Sequence, residues 1–246
     1  MQTTHLRPRP PFAGSGDVVG DYFDPVSARH FIVARPAAQP ELWTSYLEGA
    51  RESYRRHGVE LAVEYDIVRD GKSTSLFFAA VEPDGRVVGG MRVQGPYDRP
   101  EQSHAVKEWA GREGSQQLHR EIAERVSEGV IEMKAGWVDE NAPRRRELTT
   151  ALARIFVHSM NLMNVRYALC TVASHAVARW ETTGGVVSTK VAAVPYPDDR
   201  YETLLMWWDR RTVASLAARE QLFAILSESD QLSARVRLHA SIPSVA

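Results

Sequence analysis

Residues 73–93 read STSLFFAAVEPDGRVVGGMRV, and this stretch decides the fold. Two apolar runs, 73–82 and 86–93, flank Pro83-Asp84-Gly85. An Asp-Gly pair between β-prone runs supplies the backbone geometry of a tight turn, so an antiparallel hairpin is expected. Working outward, residues 130–138 (VIEMKAGWV) read as a further strand. Asn141-Ala142-Pro143 then opens a helix, with Pro inside the first turn. Its apolar face carries Leu148, Ala151, Leu152, Ile155, Ser159, Leu162 and Met163. A strand over 165–172 and a short helix over 175–183 follow, and Gly184-Gly185 ends the helix. A hairpin feeding a β–α–β crossover predicts an α/β fold with a mixed central sheet and helices on both faces.

The flanks complete the order. Residues 31–34 form a short β-prone run, and Trp43, Tyr46, Leu47, Ala50 and Tyr54 recur at helical spacing as far as Gly58. Residues 96–129 are polar and helical in pattern, with a break near 111–114. Residues 186–194 and 202–208 read as two last strands, and 212–239 as closing helices. The expected organisation is a mobile segment over 1–30, one domain over 31–210, and a helical extension over 211–246 packed on it.

Bulk numbers remove whole classes of function. The formal net charge is -1, which argues against a nucleic-acid binder that relies on overall basicity. One cysteine, Cys170, excludes an intramolecular disulfide and a multi-thiolate zinc site, and fits a cytoplasmic location. No pair of histidines has metal-ligand spacing, so no metal site is expected. No apolar run approaches the ~20 residues that span a bilayer. Ser174-His175 has no G-x-S-x-G elbow before it, and a hydrolase triad is rejected.

Several side chains carry chemistry. Glu132, between Ile131 and Met133, is a carboxylate inside an apolar strand, which is costly unless it is used or paired. It reads either as a base acting through water or as a partner of Lys134 or Arg92. Arg92 suits a bidentate carboxylate contact or a structural ion pair with Glu64, Asp66 or Glu132. Arg144, Arg145 and Arg146 cluster at a helix start and suit a phosphate or an acidic partner surface. His104 and His119 fall in the helical insert where an acceptor would sit.

These elements and residues resemble the GNAT acyltransferase superfamily, and within it the acyl-homoserine-lactone synthases and long-chain N-acyl amino acid synthases. The likeness rests on Glu64 and Asp66 before the hairpin, on Gly89-Gly90-Met91-Arg92-Val93 at its end, on the strand with Glu132, and on 178–185. It implies an N-acyltransferase in which a pantetheine thioester lies between two splayed strands, 130–138 and 165–172. Glu132 would be the catalytic base, and Lys134, Ala135 and Gly136 would bind the donor and stabilise the oxyanion. Arg144, Arg145, Arg146 and Thr149 would meet its phosphate. Arg92, Glu64, Asp66 and Trp180 would shape the substrate side, and Phe156, Met163, Trp207 and Trp208 an acyl tunnel.

Departures from the family pattern sharpen this. Glu147 and Thr149 occupy the two glycine positions of the usual pyrophosphate loop, and Glu147 would repel phosphate. An acyl carrier protein is therefore favoured over acyl-CoA as co-substrate, with no permanently bound cofactor. Ala135 stands where the synthases have arginine. Trp180 replaces a tyrosine acid and cannot protonate a thiolate. The acceptor would be a small primary amine or a peptide, and a homodimer is compatible. The rivals are a CoA-dependent small-amine acetyltransferase and a non-catalytic module that binds a carrier or partner protein.

Overall fold

The computed structural model describes residues 18–240, with backbone alone for 18 and 234–240. The elements, in order, are β1 (Val18–Asp24), β2 (Arg29–Ala34), α1 (Pro40–Arg56), α2 (Tyr65–Val68), β3 (Leu76–Val81), β4 (Val87–Gln94), α3 (His104–Glu108) and α4 (Ser115–Val126). Then come β5 (Val130–Val138), α5 (Arg145–Leu152), α6 (Ile155–Leu162), β6 (Tyr167–Ala173), α7 (Val177–Glu181), β7 (Val186–Val187), β8 (Val194–Pro195), β9 (Glu202–Asp209), α8 (Val213–Leu216) and α9 (Arg219–Ala240). They build one sheet in the order β1-β2-β3-β4-β5-β6-β9-β7, with β8 also on β9. Only β5 and β6 pair in parallel among the described strands. The mixed sheet with flanking helices is the expected fold.

The hairpin closes as its turn residues dictate. Gly85 takes φ +90°, Asp84 Oδ1 accepts the Arg86 N–H at 2.9 Å, and Glu82 N–H donates to Arg86 O at 2.9 Å. Above β3 and β4 lies α1, whose Leu42, Trp43, Tyr46, Leu47 and Ala50 are buried against Phe77, Ala79 and Trp137. The helix comes this close because Gly90 has no Cβ: one there would collide with Phe78 O and the Tyr46 ring. The opposite face packs on α5, α6 and α9 through Leu148, Leu152, Ile155, Phe156 and Leu232. A third cluster joins α3, α4, β6 and β9 through Trp109, Leu118, Leu169 and Trp207.

Three expectations change. Of the segment expected to be mobile, residues 1–17 lie outside the described part, whereas Val18–Asp24 form β1, paired with β2 and covered by α9. Its Tyr22 stacks on Phe31 at 4.9 Å, burial that a Pro-rich flank disguises. The single helix expected after Pro143 breaks at Arg154. There Arg154 N bonds Ala151 O and Val157 N bonds Arg154 O, a tighter turn whose side chain is drawn into a buried ionic network. The strand expected over 186–194 shrinks to β7 and β8: Ser188 still donates its N–H to Leu205 O of β9 at 2.9 Å, and pairing resumes only at Val194. Glu64 and Asp66 belong to helical turns before β3, with Glu64 in the left-handed region at φ +52°.

Candidate active site

The site begins where two strands part. Parallel pairing of β5 with β6 holds for Val130, Ile131 and Glu132 against Tyr167, Ala168 and Leu169, and then stops. Beyond it β6 stays with β9 to Ala173, while β5 stays with β4. The cause is a bulge: the β4–β5 register shifts between Gly90 and Arg92, opposite Ala135 at φ +50°. A bulge bends its strand and increases the local twist, which swings β5 away from β6. Two tyrosines of α1 hold the bent strand, Tyr46 donating to Ala135 O at 2.8 Å and Tyr54 to Gly136 O at 3.4 Å.

A cavity of about 810 Å³ fills the gap and reaches both faces of the sheet. Met133, Lys134, Ala135, Gly136 and Trp137 wall one side, and Cys170, Thr171, Val172 and Ala173 the other. On the α1 face it meets Tyr54, Glu108 and Tyr196; on the α5 face it meets Leu152, Phe156 and Trp180, with Arg145, Arg146 and Arg179 also in its wall. None of these three guanidinium groups pairs with a carboxylate among the described residues. A thiol at the parting point is a poor nucleophile here, since burial, Glu132 and Glu108 push the Cys170 pKa up.

A buried charged cluster closes the α3 side of the cavity. Glu108 Oε1 accepts Lys134 Nζ at 2.6 Å and lies 2.6 Å from His104 Nδ1. Lys134 Nζ is also 2.8 Å from Nδ1, and His104 Nε2 is 3.1 Å from Glu64 Oε2. Burial alone would raise the Glu108 pKa, but Lys134 and His104 outweigh it and hold the carboxyl at about 2. Burial likewise lowers the Lys134 pKa, but Glu108 and Glu132 reverse this and keep the ammonium charged above its ordinary range. Burial, with Glu108 beside it, pushes the Tyr196 hydroxyl up to about 12.

Glu132 stands behind this wall rather than in it. It is fully buried, and its Oε2 accepts Tyr97 Oη, Ser103 Oγ and His104 N–H, each at 2.8 Å. Oε1 has no hydrogen-bond partner and lies 3.8 Å from Lys134 Nζ. Three donors on one oxygen fasten the 97–104 loop to β5 and so aim His104 and Glu108.

The other expected residues divide. Lys134, Ala135, Gly136, Arg145, Arg146, Thr149 and Trp180 converge on the cavity. Arg144 does not: it donates to Val26 O at 3.1 Å. Glu147 is also absent from the wall, so its charge does not face the space that a donor would fill. Arg92 is buried beside Lys134 on the paired strands, with one long contact to Thr74 Oγ1 at 3.5 Å. Asp66 is 90% exposed and lies 4.0 Å from Arg69. Of the tunnel residues only Phe156 lines the cavity; Trp208 is stacked on it at 3.8 Å, Trp207 donates to Glu121, and Met163 borders a different groove. His119 pairs with the exposed Glu101.

Glu108 and Tyr196 were not anticipated. The legible signal was His104 and Glu108 four residues apart, which places them on one helix face. His104, Glu108 and Glu132 could in principle hold a metal ion among the described residues. The Lys134 ammonium already takes the cation's place, within 2.6 to 2.8 Å of two of the three. The donor set does not fit a metal in addition.

No protein-family model matches the chain. The uncharacterized protein Rv1356c of Mycobacterium tuberculosis (strain ATCC 25618 / H37Rv) is 45% identical over 201 residues, covering 82% of this chain and 76% of that protein. Among solved structures, FeeM, an N-acyl amino acid synthase from uncultured soil microbes, superposes with a TM-score of 0.55 at 12% identity, over 79% of this chain and 98% of FeeM. BjaI, a CoA-dependent acyl-homoserine lactone synthase, has a TM-score of 0.48 at 14% identity, over 85% and 87%. By sequence the chain belongs to the same family as the mycobacterial protein, and by its splayed, bulged sheet it has the GNAT acyltransferase fold.

Proposed function

We propose that the protein is an N-acyltransferase that moves an acyl group from a pantetheine thioester to a primary amine. The observation that carries this reading is the parting of β5 and β6 after Glu132 and Leu169, with the cavity passing through the gap. An extended pantetheine arm needs backbone partners along its length, and the unpaired edges of two diverging strands provide them. The acyl chain runs toward Met133, Leu152, Phe156 and Trp180, where the wall is apolar. The amine enters from the Tyr54, Glu108 and Tyr196 side. Backbone N–H groups at the Ala135 bulge would face the carbonyl oxygen as it gains charge. Direct attack of a bound amine on a bound thioester draws most of its advantage from this positioning. Arg92 shares its sheet face with Lys134 but is buried outside the cavity wall, and Asp66 is exposed away from it, so neither is given a part in binding the acceptor.

An acyl carrier protein is the favoured donor, because Arg145, Arg146 and Arg179 leave three unpaired cations in the cavity wall for a phosphate on an acidic protein surface. Acyl-CoA is the second reading. It is supported by one observation: Glu147 is not part of the cavity wall and so does not oppose a pyrophosphate there. Mass spectrometry of the protein mixed with acyl carrier protein thioesters, acyl-CoA and a panel of primary amines tests both. N-acyl product from either donor supports transfer and identifies the donor. Absence of N-acyl product across the panel, with both donors intact, overturns the reading.

A further inference from the structure

We propose that the acceptor amine docks on Glu108 Oε2 and that its proton leaves through Glu108, His104 and Glu64. This rests on the acyl-transfer reading and assigns it a proton path. The starting observation is an unspent atom. The Glu108 side chain is completely buried and borders the cavity, yet Oε2 has no hydrogen-bond partner, whereas Oε1 meets both Lys134 and His104. A buried carboxylate oxygen without a donor costs about 1–3 kcal/mol, a deficit that an incoming N–H removes.

From the other oxygen of the same carboxylate a chain of contacts runs outward. Glu108 Oε1 is 2.6 Å from His104 Nδ1, and His104 Nε2 is 3.1 Å from Glu64 Oε2. The Glu64 side chain is 20% exposed, so the path ends at solvent. The relay requires an imidazole that carries its proton on Nε2, toward Glu64, and can accept one on Nδ1, which lies between Lys134 Nζ at 2.8 Å and Glu108 Oε1 at 2.6 Å. The charged and titratable groups facing His104 are Glu64 before α2, Glu108 on its own helix, Lys134 and Glu132 on β5, and Tyr196 before β9. Three carboxylates against one ammonium leave room for a second positive charge, and the imidazolium supplies it. A carboxyl held at about 2 does not retain a proton, so Glu108 passes it on and His104 stores it.

The balance of the step is simple. The amine lone pair forms the C–N bond at the thioester carbonyl, and the C–S bond breaks with its electron pair going to sulfur. The proton lost by nitrogen goes to Glu108 Oε2, and a turn of the carboxyl about its Cγ–Cδ bond brings it to His104 Nδ1; the imidazolium releases its Nε2 proton through Glu64 to water. The thiolate takes a proton from water at the cavity mouth. Glu108 is the catalytic residue here, and His104 and Glu64 are positioning and relay residues.

The test is the pH dependence of amine acylation by the full chain, with the donor that supports turnover, for the wild type, H104Q, E64Q and E108Q. The wild-type rate should rise with pH through one ionisation. H104Q should lose that limb and about 100-fold in kcat, the ordinary worth of acid–base assistance. E64Q should move the limb to lower pH by about one unit, because the imidazolium loses an adjacent negative charge. E108Q should raise the KM for the amine as well as lower kcat. An unshifted limb in E64Q, or an intact one in H104Q, overturns the path while leaving acyl transfer standing. A wild type inactive with every donor and amine overturns both. Nitrogen NMR of His104 is independent of turnover: a resting neutral imidazole protonated on Nδ1 instead of Nε2 overturns the path.

Discussion

The molecule buries two ionic clusters of nearly the same composition, and they do different work. At the cavity, His104 lies among Glu64, Glu108 and Lys134. Between β1, α6 and α9, His158 lies against Glu228, which also binds Arg154, and Arg154 reaches Asp24. In the second cluster both carboxylates and the guanidinium are spent. Arg154 uses Nε and Nη2 on Glu228 at 2.7 to 3.0 Å and Nη1 on Gln221 at 2.9 Å, and His158 takes Glu228 Oε2 at 2.7 Å. Asp24 also caps the turn at Ser27. The cavity cluster is the one with a carboxylate oxygen left over and a wall open to a substrate. Composition alone does not separate a latch from a site; unspent hydrogen-bonding capacity beside open space does.

The largest difference should appear in stability. E228Q removes one of the two carboxylates that neutralise Arg154 in a sealed interior, and breaking a buried pair costs about 3–5 kcal/mol. E108Q leaves Lys134 next to a cavity that admits water, so the loss in denaturant unfolding should be about 1–2 kcal/mol. Equal losses of stability in the two variants would mean that the sealed and open clusters do not differ in this way. The catalytic effects should run the other way, with folded E228Q retaining acyl-transfer activity.

E132Q falls between the two. Its carboxylate fastens the 97–104 loop through three bonds at 2.8 Å, and weakening bonds to a charged acceptor costs about 1.5–3 kcal/mol. Turnover should fall in parallel with the melting temperature, since the loop carries His104. A large loss of rate at an unchanged melting temperature would restore Glu132 as the chemical base.

Acid titration gives a smaller effect with a definite sign. The Glu108 carboxyl is held at about 2, below the ordinary value near 4.3, so it stabilises the fold above that ordinary range and loses the contribution as pH falls toward 2. Wild type should therefore lose more stability than E108Q between pH 5 and pH 2, by calorimetry. Equal losses would mean that the Lys134 pair is not the cause.

Much of the fold was legible in particular residues. Asp84-Gly85 called for a turn that the structure closes, and Trp43, Tyr46, Leu47 and Ala50 named the buried face of α1. The break at Arg154 was not legible, because its cause, Glu228, is 74 residues away. Of the candidate site, Lys134, Ala135, Gly136, Arg145, Arg146, Thr149 and Trp180 followed from the resemblance to the acyltransferases, and all reach the cavity. Arg144 and Asp66 could not be told from them, since which way a side chain leaves a loop depends on neighbours distant in sequence.

The sequence by itself determined the order of strands and helices, through period-2 and 3.6-residue apolar patterns and turn residues whose physics is local. It also placed a carboxylate and a lysine two residues apart on one face of β5. Only the tertiary structure decided which acid faces the cavity. Each has one oxygen unspent, but donors from Tyr97, Ser103 and His104 hold Glu132 behind the wall, whereas Glu108 arrives from a helix of the insert to meet Lys134 and borders the cavity. Hydrogen-bond saturation is a sum over neighbours that the fold assembles, and no stretch of chain carries it alone.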